Sequence, residues 1–397
     1  MGQPIRKNIL EKKPELALKP FYTLLIDGNS LLRLSFKDDR KNSDGVHYGA
    51  IFQALLQIKI QLMKRPFDYV YCFFDGANSG YNRWELYPQY KLNRGKDYAS
   101  CTFGKSDYMK EVDARIASMM AYFKSKSKKK EHVKTEQEQF VDENFARERD
   151  TLLEYFNELS IRWCFDDEDV SEGDDYIAYY VMHKKPEERI VIMTLDGDLG
   201  QLISDTVCVY DLRTKKYLSK ENYKRLKGYP VENILVKKVF CGDVSDNIGN
   251  IKGLSESRLF ELIPEMKERA VTIDEVKERA QKMIDERVKE KKKPLQWQTN
   301  IIEGISNKEY EGNFYEVNEK IVDLKHPMLS ESAEEEISAM MYAPLDPEGR
   351  SFENLYSMIR RDNIEDLVVV NNFSNFFVPF KGLSDREKKR YNDFLEK

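Results

Sequence analysis

Histidine is scarce in this chain. His47, His132, His183 and His326 are the four in 397 residues, and no two are spaced as metal ligands. That argues against most imidazole-based zinc chemistry. Cysteine is almost as sparse. Cys72, Cys101, Cys164, Cys208 and Cys241 form no C-x-x-C pair, so the expectation is reduced thiols in a cytosolic protein, not a disulfide framework. No apolar run reaches the length of a membrane span, so no membrane partner is expected. Met1 to Pro20 mixes charges and lacks the pattern of a signal peptide. Neither G-x-x-x-x-G-K-[ST] nor G-x-S-x-G occurs, which leaves no P-loop and no nucleophile elbow.

What the chain has in quantity is charge. Charged residues make up 34% and hydrophobic residues 41%, with a net charge of −5. The length allows two or three domains, or one large domain with insertions. A net negative sum argues against a general nucleic-acid binder. Carboxylates that hold cations are neutralised in use, however, so the sum is a weak guide.

The acids fall at particular places. Phe21 to Ile26 is an apolar run that reads as a buried strand ending in Asp27. Ala50 to Met63 has helical spacing, and Tyr69 to Phe74 reads as a second buried strand followed by Asp75. Strand, helix and strand in that order predict a parallel crossover with both acids at one carboxyl edge, where open α/β sheets place their sites. Ile190 to Leu195 predicts a third strand, followed by Asp196-Gly197-Asp198, with a helix starting near Gln201 and a further strand over Val207 to Tyr210. Ser171-Glu172-Gly173-Asp174-Asp175 reads as a helix start with Ser171 as its N-cap. Its three carboxylates repel one another unless a cation lies between them. A helix end, a loop with three glycines and another helix are predicted around Gly242 to Leu254, with Asp243 and Asp246 three residues apart. Each of these acids, met alone, is equally an ordinary turn or a solvated helix start.

Between about Ser79 and Asp150 the character changes. Arg83, Lys91 and Arg94 mingle with Tyr81, Trp84, Tyr87 and Tyr90, and Lys124 to Lys134 is lysine-rich. This reads either as a solvated helical insertion or as an arm that contacts phosphates and stacks on bases. Thr151 to Leu159 predicts an amphipathic helix and Ile161 to Phe165 a short strand. From Pro264 onward the chain is charged and helical, closing on the aromatic segment Asn372 to Phe380.

The acids are Asp27, Asp75, Glu172, Asp174, Asp175, Asp196, Asp198, Asp243 and Asp246, more than one ion requires. An all-oxygen donor set favours Mg²⁺, with Mn²⁺ able to substitute, over zinc. Two such ions about 4 Å apart suit phosphodiester hydrolysis.

The ordered series LLIDGNSLL, CFFDG, Tyr90-Lys91-Leu92-Asn93-Arg94, EGDD, TLDGDLGQLI and GDVSDNIGNIKGL resembles the structure-specific 5′-nucleases. These include flap endonucleases, polymerase-associated 5′–3′ exonucleases and bacteriophage ribonuclease H, and the spacing is most similar to the phage members. The resemblance covers roughly Phe21 to Ile263. It implies a PIN-like α/β nuclease domain over 1–235, with a central, mostly parallel sheet and a helical arch insertion at about 79–150. It implies a helix–hairpin–helix-like and C-terminal helical domain over 236–397. By this resemblance Asp27, Asp75, Glu172, Asp174 and Asp175 belong to a first metal cluster, and Asp196, Asp198, Asp243 and Asp246 to a second. Asp27, Asp75 and Asp175 count with Lys91 and Arg94 as catalytic, the two basic residues meeting the scissile phosphate. Arg83, Tyr90, Gly249, Lys252 and Gly253 are implied nucleic-acid contacts, with a potassium ion at the 242–254 loop. The implied activity is a monomeric, Mg²⁺-dependent 5′–3′ exonuclease and flap endonuclease with ribonuclease H activity, removing RNA primers in phage-type replication. Its implied substrates are branched or nicked duplex DNA and RNA–DNA hybrid, and its implied partners a single-strand-binding protein or sliding clamp. Phe373 to Phe380 is the first place to look for partner contact. The competing reading is a replication accessory protein that binds branched DNA without catalysis. The sequence departs from the family pattern at Gly173, where alanine is usual, at Gly249-Asn250-Ile251 and at Gly253-Leu254-Ser255.

Overall fold

The computed structural model describes residues 19–76, 78–94, 107–126, 134–165, 170–364 and 372–396. Its centre is a six-stranded sheet of order β3-β2-β1-β4-β5-β6. The strands are β1 (Phe21–Asp27), β2 (Tyr69–Phe73), β3 (Arg162–Cys164), β4 (Glu188–Thr194), β5 (Val207–Asp211) and β6 (Lys216–Leu218). All neighbours run parallel except β5 and β6. Parallel strands need crossovers, and crossovers cover both faces of the sheet, so these strands read as continuous apolar runs. Period-two geometry divides them. Leu24, Ile26, Val70, Cys72, Val191 and Met193 pack into one core, while Leu25, Tyr71, Phe73, Ile190 and Ile192 pack into the other.

The first core is covered by α1 (Gly28–Ser35), α2 (Gly49–Lys64) and α5 (Glu136–Glu158). The helix expected from Thr151 starts earlier, because Thr135 and Glu138 form a capping box. The second core is covered by α6 (Gly173–Met182) and α13 (Glu331–Met340). Ser171 does not cap α6. Its hydroxyl accepts the Ser330 N–H, and Glu172 is the residue that precedes the helix. Asp198–Leu202 forms a 3₁₀ turn in place of the helix expected at Gln201.

A third core gathers α3 (Tyr81–Leu86) and α4 (Asp107–Lys126) with α8 (Ile234–Cys241), α9 (Glu256–Leu262), α10 (Ile273–Lys289), α11 (Gln296–Glu303) and α12 (Phe314–Val322). This core takes residues from both sides of position 235. Helices α14 (Phe352–Arg361) and α15 (Asn372–Leu395) return to the first core through Leu355, Ile359, Phe376, Phe377 and Phe380. Buried Arg162 in β3 pairs with Glu387 of α15 at 2.5 Å. The aromatic run singled out as the first place to look for a partner is therefore largely core. Tyr81, Trp84, Tyr87 and Tyr90 are likewise buried in the third core and are not stacking platforms. Most of the Lys124–Lys134 run lies outside the described residues. Among those described, no helix is long and apolar enough to cross a membrane.

Candidate metal centre and nucleic-acid interface

Strands β1 and β4 are neighbours, and β2 flanks β1 on its other side, so the chain changes direction at the carboxyl end of β1. Asp27 closes that strand. Its Oδ1 accepts the Ser30 N–H at 2.9 Å and its Oδ2 accepts the Thr194 hydroxyl at 2.6 Å. Burial outweighs these bonds and, with the charge of Asp75 adding, lifts the Asp27 carboxyl to about 6. Asp75 Oδ1 accepts the Gly173 N–H at 2.7 Å. A Cβ at position 173 would stand 3.2 Å from that oxygen and 3.4 Å from the Phe73 carbonyl, so glycine lets the start of α6 close tightly on the end of β2. Asp196 is held by the Asp198 N–H at 2.7 Å, and its own N–H donates to Thr194 Oγ1 at 2.8 Å. Burial, then the charges of Asp196, Asp27 and Asp75, raise the Asp174 carboxyl well above the carboxylate range. Asp27, Asp75, Asp174 and Asp196 therefore share one field at the sheet rim. Mutual repulsion among half-buried carboxylates of this kind is what a divalent cation relieves, and an all-carboxylate set fits Mg²⁺ or Mn²⁺.

The remaining acids of the first predicted cluster are placed differently. Asp175, fully buried, takes both Arg83 guanidinium nitrogens, at 2.6 and 2.9 Å, and the Met328 N–H at 3.1 Å. Arg83 also donates to the Ile321 carbonyl at 3.0 Å. Asp175 thus ties α6 to α3 and stands away from a ligand role. Arg83, only 5% exposed, cannot reach DNA. Glu172 accepts from Lys91 Nζ at 2.7 Å and from the Tyr90 hydroxyl at 2.9 Å, with Arg83 Nη1 at 3.1 Å. Burial opposes its charge, but Lys91 and Arg83 overcome that and hold its carboxyl down at about 2. Tyr90 is buried and spent on this bond, so it does not stack on a base.

The second group joins Asp198, at the start of the 3₁₀ turn after β4, to Asp243 and Asp246 on the turn after α8. Asp198, Asp243 and Asp246 each offer an oxygen within 4.8 Å of the others. Lys238, to which sequence reasoning gave no role, donates to Asp198 Oδ2 and, at 2.5 Å, to Asp243 Oδ2. Burial and the nearby Asp196 push Asp198 up to about 7 in spite of that lysine. Burial opposes the charge of Asp243 too, yet Lys238 and the Ser245 amide and hydroxyl hold it at about 2. Gly242 makes the turn possible. Its φ is +64°, and a Cβ there would fall 2.6 Å from the Gly249 carbonyl oxygen. Arg94 Nη2 reaches Asp246 at 2.5 Å, and the Lys91 N–H donates to the Asp246 carbonyl at 2.8 Å. The arch base thus sends Lys91 to the first group and Arg94 to the second.

The loop at which a potassium ion is expected has its carbonyls engaged by the protein. Every carbonyl from Asp246 to Leu254 accepts from the protein itself. The donors, in order, are Lys91 N–H, Tyr87 hydroxyl, Asp243 N–H, the Asn318 amide, Asn307 N–H, Leu254 N–H, the Asn300 amide, the Arg258 guanidinium and the Asn250 amide. Gly249, buried with its N–H on the Tyr310 hydroxyl at 2.9 Å, is not available to DNA, whereas Lys252 and Gly253 are exposed.

Residues 22–228 match the family model described as the 5′-3′ exonuclease, N-terminal resolvase-like domain. The flap endonuclease of Escherichia phage T5 is 27% identical over 138 residues, covering 33% of this chain and 45% of that protein. The 5′-3′ exonuclease of Bacillus subtilis is 33% identical over 98 residues, covering 24% of this chain and 33% of that protein. The matched stretches thus span less than half the length of these curated relatives. Among solved structures, a bacteriophage T5 flap endonuclease complex with DNA and metal ions superposes with a TM-score of 0.51 at 17% identity, covering 86% of this chain and 99% of that one. At that identity the likeness speaks for the fold, which is the α/β resolvase-like fold of the flap nucleases. Because the family model takes in just over half of the residues, the chain belongs to the 5′-3′ exonuclease family.

Proposed function

We propose that this chain is a Mg²⁺-dependent 5′–3′ exonuclease and flap endonuclease, with Mn²⁺ able to substitute. It acts as a monomer on branched or nicked duplex DNA and on RNA–DNA hybrid, and serves primer removal in phage-type replication. The observation that carries this reading is the placement of Asp27, Asp75, Asp174 and Asp196, one buried and three half-buried, at the carboxyl edge of a parallel sheet, where Asp27 and Asp196 share Thr194 and Asp75 holds the Gly173 amide beside Asp174, in a chain of this family. Divalent ions bound there supply Lewis acidity and charge neutralisation for phosphodiester hydrolysis. The chain's own residues do the rest. Asp27, Asp75, Asp174 and Asp196 hold the first position, and Asp198, Asp243 and Asp246 the second. Ser30 and Thr194 fix the Asp27 oxygens by hydrogen bonds. Glu172 aims Lys91, and Asp246 aims Arg94, so that both cations stand at the rim where a phosphate would enter. Lys252 meets the duplex backbone.

The test is a labelled 5′-flap duplex and a matching RNA–DNA hybrid, each with Mg²⁺ and with chelator. Mg²⁺-dependent cleavage from the 5′ end, lost in Asp174→Asn, supports the reading. Tight flap binding in chelator with no turnover in Mg²⁺ or Mn²⁺ rejects it in favour of a non-catalytic accessory role.

A further inference from the structure

Two adjacent lysines on α8 have opposite fates. Lys237 lies over the Tyr229 ring at 4.9 Å and reaches Glu256 at 3.3 Å, on the outer face of the helix. Lys238 points the other way, with only 13% of its side chain exposed, and its ammonium stands between Asp198 and Asp243. The backbone holds it there. Val236, Val239 and Phe240 bury the opposite side of α8, and Gly242 ends the helix with its N–H on the Lys238 carbonyl at 2.8 Å.

The consequence follows from counting donors. Asp198 and Asp243 supply two of the three oxygens that lie within 4.8 Å of one another, and Lys238 donates to both residues. Arg94 is on the third residue, Asp246. The other charged groups facing the spot are Asp196 from the rim and Lys91, whose charge acts on Asp246. Carboxylate oxygens that face an ammonium cannot face a divalent ion in the same place at the same time.

We propose that Lys238 is an internal competitor for the second cation: an ion enters the Asp198–Asp243–Asp246 group only by displacing this ammonium, which makes that group the weaker of two unequal sites. The proposal rests on the metal-dependent reading above and assigns Lys238 the role of setting the ion affinity of one site. Ion occupancy and lysine contact are then linked reciprocally, as two ligands for one set of acids.

The experiment is a Mn²⁺ titration of the full chain, without nucleic acid, followed by electron paramagnetic resonance and calorimetry. Wild type should take up one ion tightly and a second weakly, the second marked by dipolar broadening. Lys238→Met should tighten the second ion by about tenfold or more, the scale expected for removing one charge in close contact, and leave the first unchanged. Lys238→Arg, which keeps the charge, should keep the second ion weak. Thermal melts establish that each variant is folded, and Lys238→Gln serves if the methionine variant is not. Unchanged or weaker second-ion binding in a folded Lys238→Met or Lys238→Gln protein overturns the proposal. Wild type that binds no Mn²⁺ at all overturns the metal-dependent reading instead.

Discussion

Asp27, Asp75 and Asp196 at the sheet rim take their hydrogen bonds from backbone amides and a threonine hydroxyl, while Asp198, Asp243 and Asp246, gathered around the loop after α8, each accept from a cationic side chain, Lys238 or Arg94. Both groups are carboxylates at the same end of the molecule, yet one is left in mutual repulsion and the other is partly neutralised from within. Three of the rim acids, Asp27, Asp75 and Asp196, lie at or just after strand ends. A strand end brings an acid to the edge without bringing a long side chain alongside it. The loop follows a helix, whose last turn presents Lys238 to the acids that come next. The rim is therefore primed for an external cation, and the loop carries its own.

The sharpest way to break this comparison is at Asp174. Asp174→Asn removes a rim charge, and cleavage should fall on the order of 10²- to 10³-fold, the scale for deleting one group that stabilises developing charge. The metal-free protein should melt higher than wild type, because a source of repulsion is gone. Unchanged cleavage together with unchanged melting would show that the rim is not a strained cluster.

Asp175, next along the same helix, should behave in the opposite sense. Arg83→Met leaves its carboxylate buried and unpaired, which should cost about 3–5 kcal/mol of stability by denaturant unfolding. Asp175→Asn combined with Arg83→Met should recover part of that loss. A mild effect of Arg83→Met would mean that Asp175 is solvated and available to a metal after all.

A pH titration in chelator separates the two settings. The folded-state carboxyls of Asp27 and Asp198 stand near 6 and 7. Between pH 4 and those values the folded protein binds more protons than the unfolded chain, so these groups make stability decline as pH rises through that window. Glu172 and Asp243, held near 2, contribute stability that is present above about pH 4.5 and lost as pH falls toward 2. Saturating Mn²⁺ should reverse the upper slope, since metal binds the deprotonated acids. A flat profile between pH 4 and 7 in chelator would contradict the raised values.

Much of the rim was legible in the sequence, for a physical reason. Parallel strands buried on both faces appear as apolar runs, and an acid at the end of each run must arrive at one edge. What the sequence does not reveal is direction around a helix. Asp174 and Asp175 are neighbours in the chain, but one step turns about 100°, and only the partner decides. Asp175 meets Arg83 from α3, some ninety positions away. Lys238 was hidden for the same reason, since nothing local distinguishes it from Lys237. The aromatics of α3 and α15 left core and contact open in the sequence because their partners are distant along the chain, Ile116 and Phe240 for the first and α2 for the second. The potassium expectation came from a glycine-rich loop, and the side chains that satisfy its carbonyls, among them Asn300 and Asn318, lie far downstream.

The smallest expected effect concerns the duplex contact. Lys252→Ala, at an exposed position, should weaken binding to duplex DNA uniformly across sequences and reduce the salt slope by about 1, with no change in melting temperature. An unchanged salt slope would remove Lys252 from the interface.

Anomalous diffraction from Mn²⁺-soaked crystals tests the unequal sites most directly. A strong peak is expected at the rim, liganded by Asp174 with Asp27, Asp75 or Asp196, and a weaker one where Lys238 has withdrawn from Asp198 and Asp243. A rim without a peak in crystals of protein that still cleaves a 5′ flap would contradict that expectation.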